Sequence, residues 1–338
     1  MNIKEVRENA RKVLNGYCKV CRNCDGVACA GEIPGIGGKG TGSSFKANYT
    51  SLANIKLNMR TLYKGKTPNS KAVIFGKEMD MPVFAAPVTG VSINNGKVFK
   101  GDEYIKWIVE GCLNKRIYPT IGDTPKEEFL LSNLNKLKKY GGEGIAFIKP
   151  WDNENIIKKI KLVEEAGCFA VGVDVDACGL RTIALHVNSV SPKSTDDLKE
   201  IIKSTKLPFI IKGVMTVDEA KLAVEVGASG IVVSNHGGRV LDFTPGTADV
   251  LKLIADEVKG KITIFVDGGV RTGVDVLKMI SLGADAVFIG RPFIVASFGG
   301  ETEGVKTYIQ QIKEELLSTM TLTGCNSIKD INHSIISR

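Results

Sequence analysis

From residue 81 onward, short apolar runs recur along the chain, and stretches with apolar positions at helical spacing lie between them. The runs fall at 81–86, 116–120, 144–148, 169–175, 208–211, 230–233, 262–266 and 286–289, and the helical patterns at 103–113, 127–139, 154–166, 217–226, 245–258 and 274–282. Continuous apolar runs of this length suit strands buried on both faces. Eight strands alternating with helices predict parallel pairing through right-handed crossovers. The number fits a closed (β/α)₈ TIM barrel better than an open doubly wound sheet. Helix starts are expected at Asp123-Thr124-Pro125 and Thr216-Val217-Asp218-Glu219, where a side-chain oxygen can cap the first turn.

Ahead of this rhythm, Ile3, Val6, Ala10, Val13, Leu14 and Tyr17 predict a helix over 3–17. Residues 18–42 are rich in Cys and Gly, with Pro34-Gly35-Ile36-Gly37-Gly38 near the centre, and predict a long loop. Loops of such length inside compact enzymes are usually functional or disordered. The expected division is an N-terminal helix and Cys/Gly-rich loop over 1–50 and a barrel over 51–338.

Composition alters this picture little. The net charge of +8, from 45 basic and 37 acidic residues, is scattered, which suggests mild attraction to anionic ligands and makes no case for nucleic acid. The first residues are charged and lack the apolar core of a signal peptide, and no apolar stretch approaches membrane-spanning length. A soluble, cytoplasmic protein is expected, its eight cysteines serving as thiols or metal ligands rather than disulfides.

The chemistry gathers where strands end. Ser234-Asn235-His236-Gly237-Gly238-Arg239 follows the sixth apolar run and joins a base to an anion clamp. Barrel enzymes carry their active sites at this end of their strands. The seventh strand ends in Asp267-Gly268-Gly269-Val270-Arg271 and the eighth in Gly290-Arg291-Pro292. Loops after these two strands commonly bind phosphate, and Arg271 and Arg291 add charge-assisted donors. Lys212 ends the fifth run, where it suits an electron-rich ring that gains charge on reduction; a snorkelling surface lysine is the alternative. Asp174 and Arg181 follow the fourth run as an orienting carboxylate for His236 and a second carboxylate-binding arginine, or as a solvent-exposed ion pair.

With these residues in place, the sequence from about Asn54 to the C-terminus resembles the FMN-dependent α-hydroxy-acid oxidases and dehydrogenases, the glycolate and lactate oxidase family. The resemblance rests on SNHGGR (234–239), DGGVRTGVDVLK (267–278), GADAVFIGRP (283–292) and LTGCNSI (322–328), in family order. It implies that His236 is the catalytic base, that Arg239 and Arg181 bind the substrate carboxylate, and that Asp174 orients His236. It implies Lys212 beside the flavin N1–O2 edge and Pro87-Val88-Thr89 along the flavin, with Ser234 and Asp267 also at the cofactor. Gly268, Gly269, Arg271, Gly290 and Arg291 would hold the FMN phosphate.

Two departures bear on the substrate. Where the family has a glutamine and a tyrosine after the third strand, this chain has Phe147 and Lys149. Lys149 is expected to bind substrate and to favour one with a further anionic or carbonyl group. A second family tyrosine, near the N-terminus, lies in the segment that the cysteine-rich loop replaces. In that loop Cys18, Cys21, Cys24 and Cys29 have the spacing C-x₂-C-x₂-C-x₄-C, which suits an iron–sulfur cluster, a zinc ion or free thiols.

The function expected is FMN-dependent oxidation of a small-molecule 2-hydroxy acid to the 2-oxo acid. His236 takes the hydroxyl proton, the α-hydrogen passes to the flavin, and the electron acceptor is unspecified. The resemblance also implies a homo-oligomer. Two alternatives stand beside this reading. One is an FMN-dependent isomerase resembling type 2 isopentenyl diphosphate isomerase, with Lys149 on a phosphate. The other is a flavin-binding redox sensor switched by the cysteine loop.

Overall fold

The structure, a computed structural model, describes residues 1–33, 35–94, 101–180, 183 and 190–337. Its centre is a closed barrel of eight parallel strands. In chain order these are β1 (Val83–Ala85), β2 (Tyr118–Gly122), β3 (Ile145–Ile148), β4 (Ala170–Asp174), β5 (Phe209–Val214), β6 (Gly230–Val233), β7 (Thr263–Val266) and β8 (Ala286–Ile289). Each pairs in parallel with the next, and β8 closes on β1 through Val287 opposite Val83 and Ile289 opposite Ala85. The eight apolar runs therefore form the eight strands, because helices outside and packed side chains inside bury both faces.

The differences have local causes. β2 begins two residues later than its apolar run, because Arg116 takes a positive φ of 54° as the chain leaves the preceding helix. β5 runs on through Lys212 and Gly213 to Val214, since the lysine points inward as part of the strand. The helix Thr195–Lys203 was not foreseen; it is only nine residues long, and a capping box at Ser194 starts it. Thr216 caps as expected, accepting from the Glu219 N–H at 3.4 Å. Asp123 does not cap: the next helix starts at Glu127 without a side-chain cap. Instead Asp123 is fully buried and accepts from Lys159 Nζ at 2.8 and 2.9 Å and from Trp151 Nε1 at 2.5 Å.

The N-terminal helix, Ile3–Val13, is shorter than its apolar pattern and buries Val6 and Ala10. It packs along the C-terminal helical segment, Arg291–Leu322, which kinks where Gly300 and Glu301 leave helical geometry. A further helix, Ser43–Asn54, spans the expected boundary at residue 50 and wedges Phe45, Asn48 and Leu52 against the barrel. Asn48 exchanges side-chain hydrogen bonds with Asn235, just beyond β6, at 2.7 and 3.1 Å.

Inside the barrel an aromatic plug forms beneath the mouth. The Phe288 ring lies 5.4 Å from Phe84, 5.1 Å from Phe265 and 5.7 Å from Phe147, mostly edge to face. Phe147, which replaces the family glutamine, is thus a core residue. Phe288→Ala should remove the hub of this plug and cost about 3–5 kcal/mol. A denaturant midpoint left at the wild-type value would show that the plug carries no such weight.

Candidate active site

All eight strand ends contribute to one cavity of about 450 Å³ at the C-terminal mouth of the barrel, the end of β2 through Asp123 to Lys126. Pro87, Val88 and Thr89 come from the end of β1, Lys149 from β3, Asp174 from β4 and Lys212 from β5. His236 and Arg239 follow β6; Asp267, Gly268, Gly269 and Arg271 follow β7; Gly290 and Arg291 follow β8. Ser234 is the exception, because it is fully buried and sits behind the lining. Its hydroxyl donates to Asp267 at 2.8 Å and accepts from the His236 backbone N–H at 3.0 Å, so it fixes the loop rather than facing a ligand. Arg181 lies outside the described residues.

The loop after β6 needs its two glycines. His236, Gly237 and Gly238 all have positive φ, at 56°, 64° and 77°. A Cβ on Gly237 would come within 2.7 Å of Arg291, and one on Gly238 within 2.4 Å of the Phe45 backbone nitrogen. This left-handed run turns the His236 ring back over β4 and β5.

The expected partner of His236 is corrected by the geometry. Asp174 does not orient the imidazole; it is buried between two lysines, with Lys149 Nζ at 2.5 Å and Lys212 Nζ at 2.9 Å. Asp176, in the 3₁₀ turn Val175–Gly179, takes the orienting place with its carboxylate 3.1 Å from Nδ1. Gly213 makes room, since a Cβ there would meet the Asp176 side chain at 2.6 Å. Asp176 was missed although it stands two residues after Asp174 in the same run, because strand periodicity ends at Asp174 and the turn redirects the chain. Lys149, expected to address the substrate with a free ammonium, shares its charge with Asp174.

Burial and neighbouring charge tune these groups in opposite directions. Burial alone would raise the Asp174 carboxyl, but Lys149 and Lys212 hold it well below the usual carboxylate range. Burial would lower Lys212, yet Asp174, Asp176 and Asp267 keep it firmly protonated. Burial and the Lys212 charge push His236 below its ordinary 6.5, against the opposing pull of Asp176. His236, Asp174 and Asp176 offer ligand atoms within 4.8 Å of one another. The lysine ammoniums already neutralise the Asp174 side of that group, so it is a base and its counter-charges rather than a cation site.

Opposite lies a half-buried cationic wall. Arg291 donates to the backbone carbonyls of Ile36 at 2.6 Å, Gly37 at 3.0 Å and Gly237 at 3.0 Å, and its guanidinium lies 3.8 Å from the centre of the Phe45 ring. Arg239 donates to the Gly35 carbonyl at 2.5 Å, and Arg271 to the Cys24 carbonyl at 3.0 Å. Burial, with Arg239 and Arg271 alongside, brings Arg291 down to about 9, and burial brings Arg239 down to about 10. Half-buried guanidiniums held by carbonyls and repelling one another are stabilised by an added anion. The residues therefore fit a flavin mononucleotide: a phosphate at the β7–β8 end, a flat apolar wall at Ala86–Val88, and a lysine for the electron-rich ring.

A parallel barrel with an arginine wall at its last strands and a histidine across the mouth suits a flavin-dependent oxidoreductase. Sequence comparison agrees. The profile of the FMN-dependent dehydrogenases matches residues 36–193 and 179–338. The chain is 30% identical over 321 residues to an L-lactate oxidase of Lactobacillus jensenii, covering 87% of this chain and 78% of that one. It is 30% identical over 333 residues to a 2-hydroxyacid oxidase of Dictyostelium discoideum, covering 86% and 81%. A crystal structure of mandelate oxidase superposes with a TM-score of 0.81 at 26% identity, over 99% of this chain and 97% of that one. The protein belongs to the FMN-dependent dehydrogenase family, and its cofactor is FMN. Among the described residues, no helix is long and apolar enough to cross a membrane.

The two aspartates separate by experiment. Asp174→Asn leaves two buried ammoniums without their shared counter-charge and should cost about 3–5 kcal/mol in unfolding free energy. Asp176→Asn should leave the unfolding free energy within about 1 kcal/mol of wild type, because its partner is a neutral imidazole. Equal losses in the two variants would refute this division of roles.

Proposed function

We propose that the protein oxidises a 2-hydroxy acid to the corresponding 2-oxo acid. The observation that carries this reading is the hydrogen bond between Asp176 and His236 Nδ1, which leaves Nε2 as the ring's free acceptor in a histidine lining the cavity. Arg239 grips the substrate carboxylate and directs the hydroxyl toward His236. Nε2 takes the hydroxyl proton, and Asp176 steadies the positive ring that results, as an orienting carboxylate does in hydrolytic triads. Lys212 places a fixed positive charge where the cofactor is expected to gain negative charge. Gly268, Gly269, Arg271, Gly290 and Arg291 would hold the FMN phosphate, and FMN supplies the acceptor for two electrons and the α-hydrogen.

The relatives named as oxidases of lactate and of 2-hydroxy acids support this substrate class and do not favour an isomerase or a sensor. Lys149 narrows the pocket with a cation tied to Asp174, where a tyrosine is expected from the resemblance. We infer a homo-oligomer, on the same resemblance.

Anaerobic mixing with a panel of 2-hydroxy acids tests the reading. One of them should bleach the flavin stoichiometrically, and a flavin that none reduces would overturn the assignment. His236→Ala should retain FMN and slow the bleaching by about 10²–10⁴.

The pH profile follows from the histidine. The base must be neutral, and its lowered pKa keeps it so on the acid side; flavin reduction should therefore fall away only below the ordinary 6.5 of a histidine. Asp176→Asn removes the charge that favours protonation, so the acid limb should move lower still while the plateau drops. An acid limb above 6.5 in the wild type would contradict the buried, lysine-facing base.

A further inference from the structure

Four of the eight cysteines take no part in this chemistry, and they lie together. Cys18, Cys21, Cys24 and Cys29 all line a second cavity, of about 480 Å³, between the N-terminal helix, the helix Ser43–Asn54 and the C-terminal helix. The other four cysteines are elsewhere; Cys112, Cys168 and Cys325 are buried. The second cavity shares Ile36, Gly269, Arg271 and Arg291 with the first, so the phosphate-binding wall of the flavin site is also a wall of the thiol site.

We propose that these four cysteines hold an iron–sulfur cluster, a second redox centre seated against the flavin site. Three observations carry it. The first is spacing. No three of these sulfurs lie within 4.8 Å of one another, because His236, Asp174 and Asp176 form the one such group among the described residues. A tetrahedral zinc with Zn–S near 2.3 Å draws its thiolates to roughly 3.8 Å from one another. In a cluster the four thiolates are spread over two or four irons and stand around a larger body, which a cavity of this size suits.

The second is charge. Four thiolates around a cluster give the whole a net negative charge. The cavity is lined by five cationic side chains, Arg7, Lys19, Arg22, Arg271 and Arg291, against the carboxylates of Asp25 and Asp275 alone.

The third is the way the loop is held. Its backbone carbonyls are taken by cations: Cys21 O by Arg7 at 2.6 Å, Cys24 O by Arg271 at 3.0 Å, Val20 O by Arg11 at 3.0 Å and Ala28 O by Lys19 at 2.6 Å. With the carbonyls turned toward these donors, the loop lines its cavity with sulfur, and Cys18 Sγ accepts from the Val20 N–H at 3.3 Å. Hydrogen bonds to the sulfurs are one of the controls on a cluster's potential. Val20 itself is buried with a φ of 44°, a costly conformation for a β-branched residue, kept only where the surroundings enforce it.

The test uses the full chain purified without air, with FMN, iron and acid-labile sulfide measured on the same sample. Iron and sulfide should be present in equal amounts, about two or about four of each per chain. Dithionite should produce a cluster electron paramagnetic resonance signal at low temperature. Cys21→Ser and Cys24→Ser should each lose most of the iron and sulfide and that signal, while FMN content and far-ultraviolet circular dichroism stay at wild-type values. Stoichiometric zinc without sulfide would overturn the proposal. So would four thiols that titrate freely in the anaerobic wild type after reconstitution with ferrous iron and sulfide. Neither result touches the hydroxy-acid reading, which is judged separately by flavin bleaching.

Discussion

One carboxylate holds the mouth of this barrel together. Asp174, almost wholly buried at the end of β4, faces Lys149 from β3 and Lys212 from β5, so three neighbouring strand ends meet in a single charge triad. Asp267, 3.9 Å from Lys212, and Asp176 add their carboxylates beside this triad. Burial and the Lys212 charge lower the affinity of His236 for a proton, against the pull of the carboxylates. The triad also releases the histidine to another partner. Stability, the state of the base and the placement of the cofactor charge thus hang on one ionic arrangement, whose members are costly to remove singly because each would strand the others.

The barrel was legible because its signal is crude and repeated. Eight buried runs with helical patterns between them leave little room for another architecture, and two of the eight, 230–233 and 286–289, were read to the residue. What escaped depends on contacts distant in sequence. The short helix Thr195–Lys203 is carried by packing and a capping box more than by a long apolar stripe. Asp123 has the look of a cap in sequence, yet Lys159 and Trp151, 36 and 28 residues further on, draw it inside. At the site, glycine-flanked motifs gave the positions of His236, Arg239, Arg271 and Arg291, since such motifs fix backbone geometry. The choice between Asp174 and Asp176 turns on which lysines stand nearby, and Lys149 is itself a departure from the family pattern.

That departure is coherent rather than isolated. Phe147 extends the aromatic plug under the cavity floor, and Lys149 captures Asp174. With Asp174 engaged, Asp176 supports the imidazole from the following turn, and Gly213 gives it the space to do so. The histidine and the phosphate wall need little adjustment, because they rest on β6, β7 and β8, on the other side of the barrel. The departures from the family pattern thus fall on strands three to five and on the N-terminal loop, whose Gly35 and Ile36 line the same cavity.

The two ends of the chain bear a relation that concerns synthesis rather than catalysis. Residues 3–13 pack on the helix Arg291–Leu322, and the carbonyls of Gly35, Ile36 and Gly37 engage Arg239 and Arg291, more than 200 residues away. On the ribosome the N-terminal segment emerges first, but its docking surface is made last. It must therefore remain undocked through the translation of nearly the whole barrel. The flavin pocket, which this segment helps to wall, can reach its final shape only when the last helix has left the exit tunnel.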